Sequence, residues 1–215
     1  MLKYVLMNVR EKAIFILGTL DQLFPNPQIP LAHGDPYTLL IAVMLSAQCT
    51  DLVVNRVSGA LFKLADNPRS MVLLPEEQIA EIIRPCGLSN RKAGAILATS
   101  KLLVEKFGGS VPDTFDELES LPGVGHKTAS VVMVQAFNKK AFPVDTHIAR
   151  LSLRWGLSES GDVRKIEERL KQIFPAGAWR NLHVQMIEYG RKYCPAKRHF
   201  IQNCPICLKF LLENA

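Results

Sequence analysis

The residue of this chain best suited to covalent chemistry is a lysine that follows a glycine-rich turn. Lys127 comes directly after Gly-Val-Gly-His at residues 123–126, and Asp145 lies further along in the segment PVDTH. The two glycines let the backbone turn sharply and approach another molecule closely, and the apolar run that follows predicts a helix. A helix start offers unpaired N–H groups and a partial positive charge, which suit a phosphate. An amine beside such a turn, with a carboxylate that could face it, is suited to chemistry on a nucleic-acid backbone.

Four sequence motifs, taken together, resemble one family of DNA repair enzymes. They are SAQ within residues 39–57, GLSNRKA at residues 87–93, LPGVGHKTA at residues 121–129, and VDTH at residues 144–147. In this order they resemble the helix–hairpin–helix DNA glycosylases, and within them the endonuclease III branch, over nearly the whole chain. A lone Gly-Val-Gly turn occurs in many DNA-binding proteins, whereas this combination is specific to the family.

The resemblance implies that Lys127 is the nucleophile of a glycosylase that also cleaves the strand. A neutral amine could attack the sugar C1′ of a damaged nucleotide and displace the base, and the resulting Schiff base assists loss of the 3′ phosphate by β-elimination. Burial or a nearby helix N-terminus favours the neutral amine. Asp145 could accept the proton of the amine or stabilise positive charge on the sugar. On spacing alone, Lys127 is a solvated or phosphate-contacting lysine and Asp145 an N-cap, and Asp145 can fill both roles.

Two further residues are implied to act on the duplex. Base chemistry requires the nucleotide to leave the stack, and the gap must be filled. The resemblance assigns this to Gln48, whose amide can bond the orphaned base, and to Leu88, an apolar wedge. Taken alone, Leu88 is interpreted as a buried loop anchor, and Glu119, a candidate for a water or proton path, as a solvated residue. The other predicted DNA contacts are Asn90, Arg91, Lys92, Gly123, Val124, Gly125 and His126.

The C-terminal cysteines depart from the family pattern. The family ends in Cys-x6-Cys-x2-Cys-x5-Cys, which holds a [4Fe–4S] cluster, whereas this chain has Cys194-x9-Cys204-x2-Cys207 without the fourth cysteine. His199 could complete a Cys₃His set, which also suits tetrahedral zinc. A cubane normally takes four protein ligands, and the cysteines could instead be apolar fillers of a degenerate loop. The sequence therefore leaves a cluster, zinc and no metal open.

Composition places the protein among globular intracellular proteins. The 215 residues carry a net charge of +6, which fits an anionic partner as well as it fits a solvated basic surface. Five cysteines, an odd number, argue against a secreted disulfide framework. The N-terminal stretch is interpreted as an amphipathic helix rather than a secretory signal, and no apolar run approaches the ~20 residues of a membrane span. We expect a monomeric cytoplasmic protein, near the nucleoid if bacterial, that does not engage membranes.

Helical periodicity dominates the chain, without a sustained strand pattern, and predicts an all-α fold. The resemblance implies a two-domain helix–hairpin–helix glycosylase with a cleft between the domains. Residues 29–139 would form a six-helix domain, and residues 1–28 plus 140–215 a second helical domain with the cysteine loop. Helices are predicted at residues 5–24, 37–47, 51–65, 75–85, 90–107, 114–120, 128–137, 146–155, 162–174 and 179–193.

The predicted function is base-excision repair of double-stranded DNA that contains damaged or abasic nucleotides. The enzyme would be a glycosylase with apurinic/apyrimidinic lyase activity that removes oxidised pyrimidines. One alternative is a monofunctional glycosylase such as the adenine-removing mismatch branch, which lacks a lysine at position 127 and carries an extra C-terminal domain. Another is a non-catalytic helix–hairpin–helix module, which would need the turn but not Lys127, Asp145 and a wedge loop together.

Overall fold

The computed structural model describes residues 7–214, and these residues form helices and loops with no strand among them. This confirms the all-α prediction. The α-helices are α1 (Val9–Leu23), α2 (Pro36–Leu45), α3 (Asp51–Phe62), α4 (Pro68–Met71), α5 (Glu76–Ile82), α6 (Ser89–Phe107), α7 (Phe115–Glu119), α8 (His126–Gln135), α9 (Thr146–Arg154), α10 (Val163–Ile173), α11 (Trp179–Lys192) and α12 (Pro205–Asn214). Three 3₁₀ turns lie at Arg84–Cys86, Ala176–Ala178 and Ile201–Asn203. None of the described helices is both long and apolar enough to cross a membrane.

One compact unit spans Ile29–Lys139 and is organised around α2. Nine of the ten residues of α2 are buried. A helix that is apolar all round must be enclosed on all sides, and α3, α6 and α8 pack against it. Asp35 starts the helix with a capping box, because its Oδ1 accepts a bond from Thr38 N at 2.8 Å while Thr38 Oγ1 accepts one from Asp35 N at 3.1 Å. The central helix of this unit is therefore fixed both by burial and by its cap.

The other unit comprises the described residues up to Gln28 and those from Lys140 onward. Its core lies among α1, α9, α10, α11 and α12. Trp155 and Tyr189 are fully buried there and meet edge to face, with ring centroids 5.5 Å apart. Cys194 and Cys204 belong to the same buried cluster, so these two cysteines are part of the core, while residues 196–198 between them are exposed.

The structure adds two helices that periodicity did not indicate. One is the single turn α4, which gives the Ile29–Lys139 unit seven α-helices where six were predicted. The other is α12, whose sequence contains a cysteine and was interpreted as loop. The helix predicted at 75–85 ends at Ile82 and continues as a 3₁₀ turn, because Pro85 has no N–H to extend the helix. The first residues of the helix predicted at 5–24 lie outside the described part of the chain.

Candidate active site and metal-ligand cluster

The turn between α7 and α8 is held by its own backbone and by two buried side chains. Val124 N donates to Leu121 O at 3.0 Å, and both side chains are buried. Gly123 has a φ of 79°, and a Cβ built there would lie 2.9 Å from Ala95 Cβ and 3.2 Å from Met44 Cε. Glycine is therefore required at position 123 by the backbone conformation and by the contact with α2 and α6. Because the Val124 side chain points into the core, only its backbone is available to a ligand.

Gly125, the N-cap of α8, has a different reason to be glycine. Its φ is −97°, and a Cβ built there would meet no described atom within 4 Å. The fold itself does not demand glycine at this position. No side chain caps the helix, so the N–H groups of its first turn lack that partner. The exposed surface at Gly125 consequently leaves room for an acceptor to reach those N–H groups.

His126 is oriented by two neighbours from the preceding helix. Its ring stacks on Phe115, with centroids 5.3 Å apart and an interplanar angle of 22°. Its Nδ1 lies 2.7 Å from Glu119 Oε1. Glu119 is exposed, in agreement with its interpretation as a solvated residue, and it also has a partner in His126. Its carboxylate helps to fix the imidazole at the start of α8.

Lys127 is the second residue of α8 and is exposed. Burial, one of the two influences expected to favour a neutral amine, is therefore not provided by the residues around it. The start of the helix, the other influence, lies directly beside it. Lys127 thus lies two residues after Gly125, on the exposed first turn of the helix.

Asp145 caps α9. Its Oδ1 accepts a hydrogen bond from Ile148 N at 2.8 Å, and the residue is half-buried. A carboxylate has about four acceptor positions, so one capping bond leaves the group able to act elsewhere. Nearby, burial lowers the pKa of Arg150, while the charges of Cys194 and Asp145 act in the opposite direction. The predicted capping role is present in the structure, and it does not exclude a chemical one.

Gln48 and Leu88 both adopt a left-handed backbone conformation, with φ of 56° and 51°. This conformation costs a non-glycine residue roughly 1–3 kcal/mol and is concentrated at functional positions. Gln48 is exposed, and Leu88 is 55% exposed. The interpretation of Leu88 as a buried anchor is therefore wrong. An exposed leucine held in a strained conformation has the properties expected of a wedge.

Lys92 does not lie where a phosphate could reach it. The residue is buried, and its Nζ donates to Leu45 O at 2.9 Å, Ala47 O at 2.8 Å and Cys86 O at 3.0 Å. These three bonds use every proton of the ammonium group. The DNA contact predicted for Lys92 is thus replaced by an internal role, in which it joins the loop before Gln48 to the turn before Leu88. Its neighbours Asn90 and Arg91 are exposed on the first turn of α6, as a DNA contact requires.

The same two loops also meet through their cysteines. Burial, together with the neighbouring thiol of Cys49, raises the pKa of Cys86 to about 12. The sequence did not predict that Lys92, Cys49 and Cys86 connect these two loops. Lys92 stands next to two exposed polar residues, and its carbonyl partners at residues 45 and 47 are distant in the sequence, so no local pattern indicates it.

Four candidate metal ligands meet in the C-terminal segment: Cys194, His199, Cys204 and Cys207. Their ligand atoms all lie within 4.8 Å of one another, and Cys194 Sγ is 3.8 Å from Cys207 Sγ. His199 Nε2 is buried without a hydrogen-bond partner among the described residues. Hydrogen bonds with Cys194 and Cys207 hold the pKa of Cys204 below its ordinary value. The segment thus assembles the donor set that the sequence predicted as Cys₃His.

In type, these four side chains are compatible with the iron–sulfur cluster implied by the resemblance, but their ligand atoms lie closer together than the thiolates of a [4Fe–4S] cubane. In a cubane each thiolate binds a different iron atom, so the ligands are separated by an iron–iron distance in addition to their own bonds. The present ligand atoms are as close together as ligands of one ion. The spacing of these atoms therefore agrees with the loss of the fourth cysteine from the sequence.

Comparison with known proteins places these features in a family. A family model described as HhH-GPD superfamily base excision DNA repair protein matches residues 41–176. The chain is 40% identical to endonuclease III of Bacillus subtilis over 89% of this chain and 88% of that protein. It is 38% identical to endonuclease III of Escherichia coli K12, over 92% and 93% of the two chains.

Solved structures give the same answer for the fold. A trapped endonuclease III–DNA covalent intermediate superposes with a TM-score of 0.88 at 39% identity, covering 93% of this chain and 94% of that one. A thermostable thymine-DNA glycosylase, at 24% identity and a TM-score of 0.83 with 91% and 94% coverage, shares the fold. More than half of the chain matches the family model, and the two relatives exceed one third identity over most of their length. The chain belongs to the endonuclease III family of helix–hairpin–helix base-excision repair proteins.

Proposed function

We propose that this protein removes oxidised pyrimidines from double-stranded DNA and then cleaves the abasic strand by β-elimination. The observation that carries this function is the position of Lys127, whose exposed amine stands on the first turn of α8 directly after the hairpin turn. The activity is that of a bifunctional DNA glycosylase and apurinic/apyrimidinic lyase. DNA as the substrate supports the cytoplasm, where a bacterial chromosome lies, as its location.

The hairpin holds the strand for this reaction. The N–H groups at the start of α8 donate to no capping side chain, and Gly125 leaves the approach to them open. A backbone phosphate bound there gains the favourable partial charge of the helix start. It also brings the neighbouring sugar to Lys127. The bound DNA would then exclude water from the amine and so provide the burial that the protein alone does not provide.

The chemistry proceeds through a covalent imine. The neutral amine of Lys127 attacks C1′, and the bond to the damaged base breaks with its electron pair, which takes up a proton as the base departs. Opening of the sugar ring gives the Schiff base. Loss of a C2′ proton then expels the 3′ phosphate and leaves a nicked strand. Asp145 removes the proton that the attacking amine releases and stabilises positive charge on the sugar.

Gln48 and Leu88 serve the step before chemistry. The damaged base must leave the stack, and the gap costs a few kcal/mol unless it is filled. Leu88 gives the unstacked neighbours an apolar surface, while the amide of Gln48 bonds the partner base. Their exposed, left-handed positions support this assignment, since neither residue is needed for packing.

The alternative functions differ at Lys127. A monofunctional glycosylase uses water as its nucleophile, and a binding module performs no reaction. Neither forms an imine with DNA. We expect one chain to carry the whole activity, because a single polypeptide supplies every proposed residue.

Borohydride trapping on duplex DNA with an abasic site tests this function. The parent protein should become covalently linked to the DNA and should nick it. Lys127→Gln should abolish both reactions while largely keeping DNA binding, since the backbone donors of the turn remain. Lys101→Gln, an equally exposed lysine on α6, is the matched control and should be trapped like the parent. Equal trapping of the Lys127→Gln variant and the parent would refute the assignment.

The cysteine segment contributes no group to these steps. It joins the end of α11 to α12, and Cys194 and Cys204 lie in the core of its own unit. Its four ligand-bearing side chains support a structural metal site that holds the C-terminal segment. The distances between the ligand atoms help to identify the metal that this site would bind.

A further inference from the structure

We propose that Cys194, His199, Cys204 and Cys207 bind a single tetrahedral Zn²⁺ ion in place of an iron–sulfur cluster. Zinc is thus the metal assigned to the structural site in the C-terminal segment. It does not depend on the excision chemistry, because none of its ligands takes part in that reaction.

The separation of the ligand atoms selects a mononuclear site. Two thiolates that bind the same zinc at about 2.3 Å can be no more than about 4.6 Å apart, and in a regular tetrahedron they are about 3.8 Å apart. The Sγ atoms of Cys194 and Cys207 are 3.8 Å apart, and all four ligand atoms lie within 4.8 Å of one another. A cubane would require this set to open, since its thiolates bind four different metal atoms. One ion fits the set with little movement.

His199 supplies an independent observation. Its Nε2 is buried and has no hydrogen-bond partner among the described residues, and a nitrogen of its ring lies within 4.8 Å of the three sulfur atoms. Leaving a buried polar atom unsatisfied costs about 1–3 kcal/mol, so such atoms are uncommon unless a ligand completes them. A bond to zinc satisfies this nitrogen. Imidazole is an ordinary zinc ligand in structural Cys₃His sites.

Both departures from the family spacing have one explanation. The gap between Cys194 and Cys204 is nine residues where the family has six, and the final cysteine is missing. His199 lies inside the enlarged gap. Arg198, immediately before it, has a left-handed φ of 54°, which turns the chain there. The longer loop thus contains His199 as a fourth ligand. This histidine replaces the fourth cysteine of the family pattern, which is missing after Cys207.

The surroundings suit a thiolate-rich zinc centre. Three thiolates and one Zn²⁺ leave a net charge of −1, and Arg154 Nη1 lies 3.1 Å from Cys194 Sγ. Tyr189 Oη accepts a bond from Ile206 N at 3.0 Å, which leaves its own proton for Cys204 Sγ at 3.3 Å. Outer groups that bond the ligands in this way typically account for 10–100-fold in metal affinity. The site therefore has a charge-balancing arginine and an oriented phenol as well as four ligands.

Metal analysis of the full-length protein tests the proposal. The protein is produced in medium that contains both iron and zinc, purified without oxygen, and analysed for metals and acid-labile sulfide. We expect one zinc per chain, neither iron nor sulfide, and a colourless solution. Iron with sulfide and absorption near ~400 nm would overturn the proposal. So would protein free of metal, including protein with a disulfide between Cys194 and Cys207.

Ligand variants test the role of His199 directly. His199→Ala should release zinc to a coloured chelator at least about 100-fold more readily, beyond the range of an outer-sphere group. His199→Cys should retain the metal and keeps the test valid if the alanine variant fails to fold. His33→Ala, at an exposed histidine bonded only locally to Leu31 O, is the control and should retain zinc. Zinc content unaffected by His199→Ala would contradict the ligand assignment. Borohydride trapping reports on the excision chemistry separately, so zinc-loaded protein that is not trapped would refute only that chemistry.

Discussion

Gln48 and Leu88 lie on separate loops, yet the same ammonium group ties both loops together. Lys92 Nζ bonds Ala47 O, one residue before Gln48, and Cys86 O, two residues before Leu88. It also bonds Leu45 O at the end of α2. The two residues proposed to enter the duplex are thereby positioned relative to each other before any DNA arrives. Preorganisation of this kind lowers the conformational cost of binding.

Replacing Lys92 by methionine should therefore affect stability and excision together. Lys92→Met keeps the length of the side chain but leaves three inward-facing carbonyl groups without their donor. We expect a loss of about 2–4 kcal/mol in the free energy of unfolding, from one or two carbonyls that find no new partner. Urea unfolding measures this loss. Arg91→Met, one residue away and exposed, should leave stability nearly unchanged and instead weaken the salt dependence of DNA binding.

The wedge residues should matter only for duplex substrates. Leu88→Ala or Gln48→Ala should slow single-turnover excision from double-stranded DNA more than from single-stranded DNA, because only the duplex has a gap to fill. Leu73→Ala is the control for Leu88→Ala, since Leu73 is an exposed leucine of the same unit and has no proposed role. An equal penalty on both substrates would argue against the wedge.

A matched pair of variants can separate the capping role of Asp145 from its proposed chemical role. Asp145→Asn retains an oxygen that can cap α9, so stability should change little, whereas single-turnover excision should fall by about 10²-fold or more. Asp162→Asn is the control, because Asp162 caps α10 through the same kind of bond, to Lys165 N at 3.0 Å. It should leave the rate unchanged. If Asp145→Asn excised as fast as the parent, Asp145 would be a cap only.

The two glycines of the hairpin should respond differently to alanine. Gly123→Ala requires a left-handed alanine and a contact of 2.9 Å, so it should destabilise the protein by roughly 1–3 kcal/mol. Gly125→Ala meets no obstacle in the protein and should cost less than about 1 kcal/mol. It should nevertheless weaken binding to abasic-site DNA, because its methyl group would occupy the proposed approach of the phosphate. Thermal unfolding and binding titrations on both variants distinguish the two roles.

Much of the fold could be predicted from the sequence because its signals are local. The helix that begins after Asp145 starts at a predicted capping residue, and the structure has a side-chain cap there. The position of Lys127 after the turn likewise needed only the order of residues. In contrast, the burial of Lys92 depends on carbonyl groups far away in the chain. The exposure of Lys127 and Leu88 is also a property of packing, which spacing does not encode.

In the cysteine segment, too, some features could be predicted from the sequence and others depend on packing. The sequence supplied the candidate ligands, including His199, but it left cluster, zinc and no metal open. Their mutual distances bear on that choice, and these arise from the packing of α11 and α12 around Cys194 and Cys204. The α12 helix was missed because the cysteine spacing was interpreted as that of a metal-binding loop, and Cys207 lies within this helix.

The contact of Gly123 with Met44 and Ala95 has a consequence for how damage is found. Those two residues belong to α2 and α6, the helices from whose ends Gln48 and Leu88 project. The turn proposed to hold the strand and the two residues proposed to probe the duplex are therefore parts of one stiff template, with their spacing set by a buried helix. Because a stiff template adjusts little to a straight duplex, we expect the DNA to bend when it binds. Sites where a lesion has already weakened stacking bend most easily, and the enzyme can sense damage as mechanical softness before it contacts the damaged base.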